Sequence, residues 1–160
     1  MPTHVFQPSR NPPRWWDRLL VHPLDMTVAV VAVIFGVLVI ASLFIPEFIP
    51  SKSMDKMPAP VIVLVSGFLS TGGLLSLVGL NWWGDKVSHG WSIEQFGWWL
   101  AAGGFATYAI SVAWHYPGSA FSWGVPLSLG IGSVIRAVSI IMIERSVRRT
   151  LAEVEDHKHE

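Results

Sequence analysis

A chain of 160 residues with 51% hydrophobic and only 14% charged side chains, at a mean hydropathy of +0.47, has too few ionic groups to clothe a water-soluble domain and reads as an integral membrane protein. Eleven basic side chains balance eleven acidic ones, so no positive excess points to nucleic acid as a partner. The lack of cysteine excludes disulfides, thiolate metal sites, iron–sulfur ligation and cysteine nucleophiles.

In chain order, residues 1–25 form a basic, Pro- and Trp-rich segment that leads through Pro23 into a first apolar run, residues 26–45. Pro46 and Pro50 follow that run, and Pro58 and Pro60 precede the second, residues 61–80. A third run covers residues 95–114 and is followed by Pro117; the fourth covers residues 126–143, with Trp123, Gly124 and Val125 available to extend it. Residues 144–160 form a charged tail. A membrane helix needs roughly 20 apolar residues, because about 1.5 Å of rise per residue must cover about 30 Å of hydrocarbon. All four runs suit that length. Lipid offers no partner to an unpaired backbone group, and the runs are continuous rather than alternating, which predicts helices and excludes barrel strands. The expectation is one all-α polytopic domain over residues 26–143, four transmembrane helices in a compact bundle. Val39 and Ala41 fit a small-residue cleavage pattern, but the first apolar run is too long for a signal h-region, so the first span is expected to be retained.

Basic residues set the expected orientation. Arg10, Arg14, Arg18, Lys86, Arg145, Arg148, Arg149 and Lys158 fall on one side of four crossings, against Lys52 and Lys56 on the other. Both termini are therefore predicted to be cytoplasmic, with the protein in the cytoplasmic membrane. Tryptophan prefers the half-hydrated boundary layer, which assigns Trp15, Trp16, Trp82, Trp83 and Trp91 to the inner interface and Trp114 and Trp123 to the outer one.

Arg136 is the one ionisable group clearly inside a run. Insertion scales charge about 2.5–3.5 kcal/mol for arginine near the middle of a membrane helix, so it must pair, snorkel or line a hydrated interior. Gly124, Ser128, Gly132 and Arg136 recur every four residues, forming one small polar stripe suited to another helix. Candidate partners are Glu94, before the third run, and Asp25, before the first. The cluster is either an ion pair that fixes helix packing or part of a pore or binding site. The second run repeats the small-residue theme through Ser66 and Ser70 and through Gly72, Ser76 and Gly79, faces that serve helix packing within one chain or self-association between copies.

His4, His22, His89, His115, His157 and His159 are scattered, giving no ligand cluster for a metal. Phosphate-binding glycine loops, zinc-protease motifs and nucleophile elbows are absent from the sequence, so neither a catalytic activity nor a cofactor is expected.

The segment Pro12-Pro13-Arg14-Trp15-Trp16-Asp17-Arg18, the His22-Pro23-Leu24-Asp25 approach to the first span, Gly84-Asp85 in the inner turn, Arg136 in the fourth span and Arg145, Arg148 and Arg149 after it carry a resemblance. Together they resemble the small four-span membrane proteins encoded by phages of actinobacteria, often treated as holin-like. That resemblance implies a homo-oligomer in the host cytoplasmic membrane that permeabilises or depolarises it and helps release or activate an endolysin during lysis. The spans offer little hydrophilic surface for a wide lumen, so a narrow ion leak is the expected form. The competing expectation is a noncatalytic scaffold or accessory subunit, superinfection exclusion included, that binds another membrane protein. A transporter is disfavoured, since no discontinuous helix with paired acidic residues is evident.

Overall fold

The computed structural model describes residues 22–45, 47–48, 54, 56–82 and 87–156. Four helices make up the described chain: α1 (Pro23–Phe44), α2 (Ala59–Leu80), α3 (Val87–His115) and α4 (Ala120–Asp156). Proline sets two of the starts. Pro23 opens α1, where its missing N–H has no intrahelical acceptor to lose, and Met26 N–H donates back to the His22 carbonyl at 3.1 Å. Pro58 precedes α2, with Pro60 in its first turn. Helix α1 ends as Ile45 turns to an extended conformation while its N–H still reaches the Ala41 carbonyl. At the end of α2 the Asn81 side-chain amide donates to the Leu77 carbonyl at 2.9 Å.

Among the described residues, three segments are long and apolar enough to cross a membrane: α1, α2 and the Ala120–Thr150 portion of α4. The 22 residues of α1 extend about 33 Å, matched to the hydrocarbon thickness. Helix α3 has ample length at 29 residues, but Glu94, Gln95, four tryptophans and several glycines dilute its apolar character. It lies between α2 and α4 and packs on both, so much of its surface meets protein instead of solvent or lipid.

Three boundaries differ most from the sequence expectation, the first being the start of α3, which lies at Val87 and not at residue 95. Helix α4 starts at Ala120, not Pro126, and carries that proline inside the helix. A proline there removes one hydrogen bond, to the Ser122 carbonyl, close enough to the helix start that the remaining turns continue. Helix α4 also runs on to Asp156, so much of the predicted tail is helical. Arg148 and Glu144 pair across one turn of this extension, Nη2 to Oε1 at 2.6 Å.

The principal packing runs α1 on α2, α2 on α3 and α3 on α4, and α1 meets α4 more sparsely. Small residues let the backbones approach. A methyl group on Gly72 would lie 2.5 Å from the Ala101 nitrogen and 2.8 Å from the Gly97 oxygen of α3, and one on Gly73 would lie 2.6 Å from the Ala29 oxygen of α1. Helix α2 thus presents bare backbone to neighbours on two sides. The core forms one cluster around Val39, Val65, Leu69, Phe105 and Val112 and a second around Ala29, Trp98, Ala137 and Ile140. Ile34, Ile110, Ile131, Ile135 and Met142 lie exposed on the outside, the arrangement expected where hydrocarbon takes the place of water. At the bundle end away from Asp25, Lys56 Nζ sits 5.3 Å from the centre of the Tyr116 ring.

Candidate functional site

Arg136, Glu94 and Asp25 meet at one end of the bundle, brought from α4, α3 and α1. Arg136 donates twice to a single carboxylate oxygen, Glu94 Oε1, from Nε at 3.0 Å and from Nη2 at 2.7 Å. Trp98, one turn along α3 from Glu94, donates its indole N–H to the same oxygen at 3.2 Å. Three N–H groups on one oxygen hold the Glu94 side chain in place, and charge-assisted bonds of this kind are about twice as strong as neutral ones. Asp25 Oδ2 approaches Arg136 Nε at 3.2 Å. The single hydrogen on Nε points at Glu94, so Asp25 contributes electrostatic attraction from the side. Asp25 Oδ2 in turn lies 3.6 Å from His22 Nδ1.

Burial grades along this chain of contacts. Glu94 and Trp98 are almost fully enclosed, while side-chain exposure rises from 5% at Glu94 through 19% at Arg136 and 25% at Asp25 to 43% at His22. Glu94 lies in the second turn of α3, which begins at Val87, and not at a helix start. Next to it, Gly79 of α2 lies so close that a methyl group there would come within 2.5 Å of the Glu94 Cα. A charged pair is thus enclosed by backbone, an indole and small residues, surroundings in which each charge depends on the other.

The small-residue positions divide into two groups. Ser66, Gly72, Ser76 and Gly79 are buried within the chain, and Ser70 sits against Gly36 of α1. Gly124 and Gly132, by contrast, have no atom within 4 Å of an added methyl group, and Ser128 is exposed with its hydroxyl donated to the Gly124 carbonyl at 2.9 Å. The stripe that ends in Arg136 therefore faces away from the bundle along most of its length. The face of α4 that meets its neighbours carries Gly130, Ser133, Ala137 and Ile140 instead.

Several other hydroxyls of the helices are turned onto their own backbones, while the buried Ser76 Oγ has no hydrogen-bond partner among the described residues. Thr107 donates to Gly103, Ser133 to Leu129 and Ser139 to Arg136, each at 2.7–2.8 Å. Such bonds satisfy a hydroxyl without creating a hydrated lining.

Among the expected interfacial anchors, Trp91 packs partly buried against the Ala29–Trp98 cluster, Trp82 is half-buried and Trp114 is exposed. Trp123 donates to the Pro117 carbonyl at 3.4 Å. Trp15, Trp16 and Trp83 lie outside the described residues, as do the basic residues of the N-terminal segment and Gly84, Asp85 and Lys86. Sequence reasoning missed Trp98, Gly36 and Gly97. The first had a usable signal, since residue 98 lies one helical turn from Glu94 and shares its face. Among the described residues no group of three His, Asp or Glu side chains is placed to hold a metal ion. No protein family, curated protein or solved structure matches the chain.

Proposed function

We propose that this protein is a four-span protein of the bacterial cytoplasmic membrane, with both termini inside, which self-associates and depolarises the membrane in a holin-like way. The observation that carries this reading is the outward face of α4. Gly124 and Gly132 are open to approach on a helix whose exposed side chains between them and Ile143 are mostly apolar, and small residues on such a face permit close contact between helices in lipid. Self-association across it uses surface that the single chain leaves uncovered. In this reading α3 supplies the fourth crossing, its lower hydropathy tolerated because it packs between α2 and α4.

Any leak then runs between copies and not through the centre of one bundle, because Ser133, Ser139 and Thr107 spend their hydroxyls on their own helices. Arg136 and Glu94 act as a packing tie, their charges neutralising each other away from water. The same dry interior also supports a second reading, a noncatalytic scaffold or accessory subunit whose α4 face receives a different membrane protein. Superinfection exclusion is one form of that role.

Inducible expression in a bacterium, with membrane potential and cell density recorded together, separates the two. Depolarisation followed by growth arrest is expected for the wild-type chain, with a clear loss of both for Gly132→Leu at matched membrane expression. Steady growth and an intact potential at high wild-type expression would reject the depolarising role and leave the scaffold.

A further inference from the structure

We infer that the seam between α1 and α4 holds the end of a lipid hydrocarbon chain. The seam is tied at one end by Asp25 and Arg136. Further along it, an apolar cavity of about 50 Å³ lies between Phe35 and Val39 of α1 and Val125, Pro126 and Leu129 of α4, with Leu69 and Phe105 behind. Phe35 lies about 15 Å along the helix axis from Asp25, well inside the apolar length of α1. Phe35 and Val125, each nearly half exposed, make the lip, while Val39, Leu69 and Phe105, all at most 3% exposed, make the floor.

The chemistry of the cavity selects its occupant. Water needs two to four polar partners to remain in such a space, and the lining, which includes Tyr108, turns only apolar surface to the cavity. Left empty, the floor side chains forfeit dispersion contacts. Hydrocarbon recovers those contacts with no dehydration cost, and it is the solvent around α1 and α4 once they are inserted. The volume also limits the ligand. A cavity of about 150 Å³ accepts benzene, so one of this size admits a chain end or a methyl branch and refuses a benzene-sized ring. The site depends on membrane insertion of α1 and α4 and is independent of any leak activity.

The test uses the full chain reconstituted with phosphatidylcholine that carries a diazirine near the end of one acyl chain. After irradiation, adducts are mapped by peptide mass spectrometry. Adducts are expected on the exposed Ile34 and Ile131 and also on the floor residues Leu69 or Phe105. Filling the cavity with Val39→Phe, or with Leu129→Phe should the first variant fail to fold, is expected to reduce floor adducts to background while those on Ile34 and Ile131 persist. Wild-type adducts confined to the exterior would overturn the site and leave membrane insertion standing, and undiminished floor adducts in the filled variant would also overturn it. Adducts on neither set would overturn insertion and the site together.

Discussion

Glu94 Oε1 is the atom on which the polar end of the bundle converges, and the consequences of altering it follow from burial. Arg136→Leu removes two donors from a carboxylate whose side chain is 5% exposed and strands its charge. Breaking a buried pair from one side costs about 3–5 kcal/mol, so this variant is expected to show a strongly reduced folded fraction in detergent. The double variant Glu94→Leu with Arg136→Leu removes both charges together and is expected to recover most of that loss, as apolar replacements of buried pairs do. A double variant no more stable than Arg136→Leu would refute the mutual dependence of the two charges. Asp25→Asn leaves Arg136 paired with Glu94 and changes a more exposed side chain, so its cost should stay near about 1 kcal/mol or less. Thermal unfolding of the purified variants checks all three.

Between elements, glycine has two uses that a repeat of small residues does not distinguish. Gly72 and Gly132 read alike in the sequence, each part of a spaced small-residue face. Gly72 meets α3 backbone inside the chain, whereas Gly132 meets nothing within 4 Å. Gly72→Leu must therefore force α2 and α3 apart, a strain of about 1–3 kcal/mol or more, and is expected to lower the unfolding temperature. Gly132→Leu should leave that temperature unchanged and diminish oligomers captured by chemical crosslinking in the membrane. Equal oligomer yield from Gly132→Leu and wild type would move self-association to another face. The same distinction explains why Gly36 and Gly97 went unremarked: a lone glycine gains its role from the helix opposite, and helical periodicity reveals a face without naming its neighbour.

For the whole molecule, the topology turns on α3, which is expected to cross. Four crossings put the turn around Ser119 on the same side as Glu47 and opposite Ser146, whereas a non-crossing α3 puts Ser119 opposite Glu47 and carries Ser146 to the Glu47 side. Because the chain has no cysteine, single replacements Glu47→Cys, Ser119→Cys and Ser146→Cys report sidedness without a background. An impermeant maleimide added to intact spheroplasts is expected to label the first two and spare the third. Protection of Ser119→Cys with labelling of Glu47→Cys would show that α3 returns to the side from which it started.

The sequence by itself determined the helical class and three of the four expected membrane-length apolar runs, because hydrocarbon length and backbone hydrogen bonding leave few alternatives for a continuous apolar run. It also singled out Arg136 with Glu94 and Asp25, because the cost of an unpaired charge among apolar residues is large enough to demand a partner. Tertiary structure alone decided that Glu94 receives the hydrogen bonds and Asp25 only flanks them, and that Trp98 shares the same oxygen. It also decided which small residues are enclosed and which remain open, and that α4 passes through Pro126 and on to Asp156. The physical reason is common to all of these: burial cost specifies that a group must find company, but distances of a few ångströms between helices far apart in the chain specify which company it finds.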